Sequence, residues 1–228
     1  MGIRAVATDI DATLTDAQRV LSLAAAEALR LTESAGVPVI LVSGNVLPVC
    51  HSLNVYLGLS GPVVAENGGV VFWKRGARLE LLKDRKTADK GYEYVNARYP
   101  VKKVVTDRWR QTEVAVEENG VDIERIRKLL KAGGFDLYAN STGYGIHIME
   151  PGLSKVKGLE LAASWLGLGL KDILAIGDSE ADMELLEGCG QSGAPANAPP
   201  EVRARARYSA GLPFGEGAVE ILRHFKVI

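Results

Sequence analysis

Four aspartates in two short clusters, Asp9-x-Asp11 near the start of the chain and Asp178-x-x-x-Asp182 near its end, are the residues best suited to chemistry. Each cluster follows a mostly apolar run, residues 3–8 and 173–176, that reads as a buried strand. The acids should then emerge at strand ends, on the rim where α/β sheets bind ligands. Four carboxylates gathered there repel one another, and a hard divalent cation removes the repulsion. An all-oxygen donor set favours Mg²⁺ over a softer metal. Asp9 and Asp11 lie two apart on an extended segment and leave it on the same face. One carboxylate can therefore attack a phosphoryl group while its neighbour protonates the leaving oxygen and then activates water. The same dipeptide spacing also suits a solvated turn.

Two further positions fall between the acidic clusters. Ser43-Gly44-Asn45 follows an apolar run and is expected to open a helix, where the hydroxyl and backbone N–H groups could hold an anion or where Ser43 could be a plain N-cap. Lys155 precedes a helical pattern, and a lysine at a helix start opposes the dipole unless an anion is present. Lys157 competes for that role. Asp178 and Asp182 could face the metal, Asp178 more directly, or could serve as caps and first-turn acids of the helix that follows.

These groups need a scaffold, and the pattern supplies one. Strand and helix alternate from residue 3 to about 82: a strand over 3–8, a helix capped by Ser22 and ended by Gly36, and a strand over 37–42. A helix then runs over 47–57 as far as Gly58, followed by a strand over 62–65 and a hairpin of 70–73 with 79–82. Between about 83 and 151 the apolar runs shorten and alternate with period two. Residues 112–117 and 145–149 read as half-exposed strands of a sheet with one wet face, and residues 123–130 as an amphipathic helix. The first pattern resumes with helices over 156–166, 181–187 and 217–225 and a strand over 172–176. The prediction is an α/β protein with a Rossmann-like parallel-sheet core, residues 1–82 and 152–228, and an inserted α+β cap, residues 83–151.

Composition narrows the function. The chain has 228 residues, 47% hydrophobic, with 27 basic and 28 acidic side chains, so no net field draws it to nucleic acid or an anionic membrane. The cap's Lys83, Arg85, Lys86, Lys102, Lys103, Arg108 and Arg110 are interleaved with Asp84, Asp89, Glu93 and Asp107, the pattern of a solvated face. They could instead meet a substrate carboxylate or nucleic acid, and Tyr144 and His147 could face a cleft. Cys50 and Cys189 stand outside any Cys-x-x-Cys or His-rich setting and are expected to be reduced thiols. No signal peptide or membrane span is evident. The expectation is a cytoplasmic protein, monomer or homodimer, with a small-molecule partner, no nucleic acid and no membrane.

In order, Asp9-x-Asp11-x-Thr13, Ser43, Lys155 and Gly177-Asp178-x-x-x-Asp182 resemble the four motifs of the haloacid dehalogenase-like phosphatases, over nearly the whole chain. Ser43-Gly44-Asn45, Glu66-Asn67-Gly68, Ile146-His147-Ile148 and Gly177-Asp178-Ser179-Glu180-x-Asp182 are most similar to the archaeal phosphoglycolate phosphatases. The resemblance implies an aspartyl-phosphate mechanism on 2-phosphoglycolate, with Asp9 as nucleophile and Asp11 as general acid/base. It also implies that Ser43, Gly44, Asn45 and Lys155 bind the substrate, and that Asp9, the main-chain carbonyl of Asp11, Asp178 and Asp182 bind Mg²⁺. A sugar-phosphate phosphatase or phosphotransferase would share that chemistry, and a nucleic-acid or regulatory module would use the basic cap instead. Three positions depart from the pattern: Ala12 and Val156 replace glycines and Ala181 an asparagine. Ala12 is expected to take an α- or β-region backbone.

Overall fold

The computed structural model describes residues 2–142 and 144–228; residues 1 and 143 lie outside it. Its first strand, β1 (Ala5–Thr8), is buried along its whole length, and its side chains alternate between the two faces of a sheet. Val6 enters one apolar cluster, and Ala5 and Ala7 enter another. The continuous apolar run in the sequence is therefore a strand covered on both faces.

Helix α1 (Leu23–Ser34) starts where Ser22 Oγ accepts from Ala25 N, and β2 (Val39–Val42) follows. Helix α2 (Leu47–Leu57) stops at Gly58, which takes the left-handed conformation, and β3 (Val63–Ala65) leads into β4 (Val70–Trp73) and β5 (Arg78–Leu81). After an excursion the core resumes with α5 (Lys155–Trp165), β9 (Ile173–Ile176), α6 (Met183–Gly188) and β10 (Gln191–Ala194). It closes with α7 (Pro200–Arg203), β11 (Tyr208–Ser209) and α8 (Phe214–His224). These strands form one sheet in the order β11-β10-β9-β1-β2-β3-β4-β5, parallel through β3 and antiparallel over the last two pairings. Helices α1, α2 and α8 cover one face, and α5, α6 and α7 the other. The chain runs from β1 outward to β2 on one side and returns to β9 on the other, so the sheet's switch point lies at β1. That is where an open α/β sheet leaves a crevice beyond its strand ends.

The excursion has a sheet and core of its own. Helix α3 (Lys86–Asn96), strand β6 (Val114–Val116), helix α4 (Ile123–Ala132), and strands β7 (Tyr138–Ser141) and β8 (Ile146–Met149) enclose a third apolar cluster. The three strands are antiparallel in the order β6-β8-β7. Helix α4 buries Ile126 and Leu130 and turns Glu124, Arg125, Arg127 and Lys128 outward, as its pattern predicts. The strands differ from expectation. Residues 112–116 and 145–149 are buried rather than half-exposed, because the face predicted to be wet is turned toward the core sheet and not toward water.

Candidate active site

The first acidic cluster sits just past β1. Asp9 N donates to Ile176 O of the neighbouring strand, and a tight turn follows in which Leu14 N and Thr15 N both return to Ile10 O. Ile10 is drawn into the core, leaving Asp9 and Asp11 to line a cavity of about 860 Å³ between the main sheet and the smaller one. Ala12 lies within this turn at φ 55°, in the left-handed region and not in the α or β region expected of it. Its N–H donates to Thr15 Oγ1, and its carbonyl accepts from Asn197 Nδ2. Those bonds hold a conformation that alanine disfavours.

Lys155 is the first residue of α5 and is buried. Its Nζ lies 2.9 Å from Asp9 Oδ1 and 2.8 Å from Asp182 Oδ1. Burial alone would push the ammonium down, but Asp182 and Asp9 outweigh it and hold Lys155 above its ordinary value. Asp182 is fully buried, and its other oxygen accepts from Ser179 N and Ser179 Oγ at 3.1 and 2.7 Å. Gly177 makes room for it: a Cβ there would come within 2.5 Å of the Asp182 side chain. Asp178 Oδ1 accepts from Thr13 Oγ1 at 2.8 Å, tying the second cluster back to the first.

Asp9, Asp178 and Asp182 each present an oxygen within 4.8 Å of the others. Burial raises Asp9 well above the usual carboxylate range, Lys155 opposes this, and Asp182 and Asp178 add to it. Burial, joined by repulsion from Asp182, lifts Asp178 to about 6. A hard cation fits this oxygen set and would relieve both carboxylates. The oxygens of Asp182 are already committed to Lys155 and Ser179, so Asp9 and Asp178 have the freer donors.

Asp11 is held differently. Arg19 Nε donates to its Oδ1 at 2.8 Å and Asn45 Nδ2 to its Oδ2 at 2.6 Å. Arg19 also reaches Asn45 Oδ1 at 3.0 Å and lies over the ring of Tyr144, 4.8 Å from its centroid. Ser43 directly follows β2 and is buried, but α2 begins only at Leu47 with Val46 as its N-cap, so Ser43 caps nothing. Its Oγ instead accepts from Asn45 N at 3.1 Å and Asn45 Nδ2 at 3.2 Å, within the cavity lining. The cavity thus gathers Asp9, Asp11, Ser43, Gly44, Asn45, Lys155 and Asp178, while Asp182 lies behind Lys155.

The opposite wall comes from the smaller sheet. Glu113, fully buried, receives Arg110 Nη1 and His147 Nδ1 on Oε1, the latter at 2.8 Å, and Asn67 Nδ2 on Oε2 at 3.1 Å. A carboxylate only accepts, so the His147 proton sits on Nδ1. Burial would raise Glu113, but His147 and Arg110 outweigh it and keep the carboxyl below its ordinary value. The turn at Glu66-Asn67-Gly68 carries three residues at positive φ, 51°, 53° and 99°, two of them not glycine, and Glu66 takes Gln111 N, Thr112 N and Thr112 Oγ1 onto its carboxylate. Other cations of the segment that carries the smaller sheet are paired, Arg85 with Asp89 and Asp107, Lys103 with the same two acids and Lys86 with Asp84. Sequence reasoning did not single out Arg19, Glu113 or Asn197. Arg19 and Asn197 carry no periodic signal, and Glu113 reads as one polar residue of an alternating strand.

A sequence model described as haloacid dehalogenase-like hydrolase matches residues 6–99 and 81–213. A phosphoglycolate phosphatase of Methanothermobacter thermautotrophicus is 42% identical over 223 residues, 98% of this chain and 99% of its own. A crystal structure from Thermoplasma acidophilum superposes with a TM-score of 0.92 at 31% identity, over the full length of both chains. A haloacid dehalogenase-like hydrolase from Bacteroides thetaiotaomicron shares the fold at a TM-score of 0.81 and 16% identity, covering 97% and 98% of the two chains. Among the described residues no helix is long and apolar enough to cross a membrane.

Proposed function

The chain belongs to the haloacid dehalogenase-like hydrolase family, and from that premise we propose that it is a Mg²⁺-dependent phosphatase hydrolysing 2-phosphoglycolate to glycolate and phosphate. The observation that carries this reading is Lys155, buried between Asp9 and Asp182 at 2.9 and 2.8 Å, beside an acidic trio at the floor of a cavity. The name of the 42%-identical relative supports the choice of substrate. In this reading residues 83–151 form a cap over a core of residues 1–82 and 152–228.

Asp9 Oδ1 is held by Lys155, while Oδ2 has no donor among the described residues. The Asp9 carboxylate attacks phosphorus, and the bond to the glycolate oxygen breaks as Asp11 gives that oxygen a proton. The aspartyl phosphate is then opened when Asp11 takes a proton from water and the resulting hydroxide attacks phosphorus, restoring Asp9 and releasing phosphate. Lys155 and the Ser43 turn hold phosphoryl oxygens, and Arg19 with Asn45 fixes the direction of Asp11. Asp9, Asp178 and the main-chain carbonyl of Asp11 would bind Mg²⁺, with Asp182 acting mainly through Lys155. The ion supplies positive charge where the phosphoryl group and the carboxylates crowd together.

The test is phosphate release from a panel of phosphomonoesters with and without Mg²⁺, for the wild type and Asp9→Asn. Loss of the nucleophile should lower turnover by about 10⁴-fold or more. Metal-independent release, or full activity in Asp9→Asn, would overturn the mechanism.

A further inference from the structure

The roof of the cavity holds a cation whose hydrogen-bonding capacity is only partly used. Arg110 is 91% buried as a residue, being 9% exposed, and it lines the same cavity as Asp9, Ser43 and Lys155. Of its five N–H groups, those on Nη1 go to Gly44 O at 3.0 Å and to Glu113 Oε1. Among the described residues the buried Nε has no partner, and no hydrogen bond from Nη2 is seen. A buried donor left unpaired costs about 1–3 kcal/mol, and an acceptor supplied by a ligand in the cavity would remove that cost.

The position of Arg110 is imposed from two sides. Glu66, at the end of β3, grips the backbone of Gln111 and Thr112, and Gly44 O, next to Ser43, takes Nη1. The guanidinium is therefore anchored one residue from a predicted phosphate-binding hydroxyl. Glu113 is shared with His147 and Asn67, so it does not saturate Arg110. Lys83, Lys86 and Lys102 pair with carboxylates nearer the surface, and Arg85 and Lys103, which share the buried Asp107, do not line this cavity.

We propose that Arg110 receives a carboxylate on the leaving group, so that the cavity selects small phosphomonoesters bearing a second acid close to the phosphate. The proposal rests on the phosphatase reading for the seating of the phosphoryl group over Asp9 and Lys155. The planar fork of arginine suits a carboxylate, whereas a neutral alcohol would leave its N–H groups unmatched. Discrimination then arises as much from what the site refuses as from what it binds.

The test compares two unreactive probes on the full chain with Mg²⁺ by titration calorimetry: 3-phosphonopropionate, which carries the carboxylate, and n-propylphosphonate, which lacks it. Wild type should bind the first about 30-fold more tightly, the range of a hydrogen bond between charged groups. In Arg110→Gln that ratio should fall to about 3-fold or less, with Arg110→Lys between the two. A purely structural Arg110 would weaken both probes equally and leave the ratio intact, which overturns the proposal. A wild-type ratio near one overturns it as well, and that outcome needs no variant. Phosphate release from 2-phosphoglycolate and ethyl phosphate is measured alongside. Release from both with an unchanged probe ratio leaves the phosphatase reading standing and removes Arg110 from it. A collapsed ratio without release from either ester keeps the carboxylate receptor and removes the chemistry.

Discussion

On the floor of the cavity Lys155 is shared by Asp9 and Asp182 while Asp178 has, among the described residues, only the Thr13 hydroxyl; on the roof Arg110 and His147 both converge on Glu113. The consequences run in opposite directions. Burial and mutual repulsion raise Asp9 and bring Asp178 to about 6, whereas two cationic or donor groups keep the equally buried Glu113 below its ordinary value. The floor is short of positive charge, and the roof has donors to spare. A site for a dianionic phosphoryl group needs that asymmetry. The floor's shortage is met by a cation that arrives with the chemistry, and the roof's spare donors are left for the part of the substrate that differs from one phosphomonoester to the next.

Removing one charged residue from each wall should separate them most sharply. Lys155→Met leaves Asp9 and Asp182 buried without their counter-ion and should cost about 3–5 kcal/mol of stability. Glu113→Gln retains shape and an acceptor for Arg110 and should cost about 1–3 kcal/mol. Urea unfolding in EDTA and in Mg²⁺ checks the contrast. The gain from Mg²⁺ should exceed the wild-type gain in Lys155→Met, where the ion takes over part of the lysine's work, and equal the wild-type gain in Glu113→Gln. Equal gains in all three proteins would erase the distinction between floor and roof.

The raised floor carboxylates give a smaller effect with a definite sign. A carboxyl whose folded value lies above its unfolded one stabilises the protein fully below the unfolded value, and that stability is lost as pH rises through the folded value. For Asp178 the window runs from 3.8 to about 6. Metal-free protein should therefore lose thermal stability across that window relative to Asp178→Asn. Added Mg²⁺ should raise Tm more at a pH near 7 than near 5, since the proton and the metal compete for one carboxylate. A Tm difference between the two proteins that is flat with pH would place Asp178 in ordinary solvent-like surroundings.

The floor was far more legible in the sequence than the roof. Asp9, Ser43 and Asp178 each follow an apolar run, and a strand covered on both faces announces both its end and the rim beyond it. Lys155 stood out because it opens a helix against the dipole. Arg110, Glu113 and His147 sit on segments whose alternation is equally consistent with a sheet face in water. Which surface a polar face meets is decided by tertiary packing, here by the clasp between Glu66 and residues 111–112, and no local period encodes it. The Arg19 bridge to Asp11 and the Asn197 bond to the Ala12 carbonyl likewise join residues 8 and 185 positions apart, each through a side-chain donor.

Backbone strain divides the two walls as well, and it gives the smallest effect. Among the described residues no side-chain-bearing residue between 83 and 151 has a positive φ; the positive angles lie on segments outside it, Ala12 at 55° and Arg19 at 64° on the floor, and Glu66 at 51° and Asn67 at 53° where the turn after β3 meets the roof. A non-glycine residue in the left-handed region costs about 1–3 kcal/mol, and glycine would release most of that while adding about 0.4–1 kcal/mol of unfolded-chain freedom. Ala12→Gly should therefore stabilise the protein by about 0.5 kcal/mol or slightly more, a rise in Tm of about 1–2 °C at this size. The backbone bonds from Ala12 N to Thr15 Oγ1 and from Asn197 to Ala12 O do not involve the methyl group, so the turn should keep its shape and phosphate release should change little. A stabilised variant with lowered turnover would mean that the strain itself helps to aim Asp11. A destabilised one would mean that the methyl group packs more usefully than the strain costs, and the floor would then be no more strained than the roof.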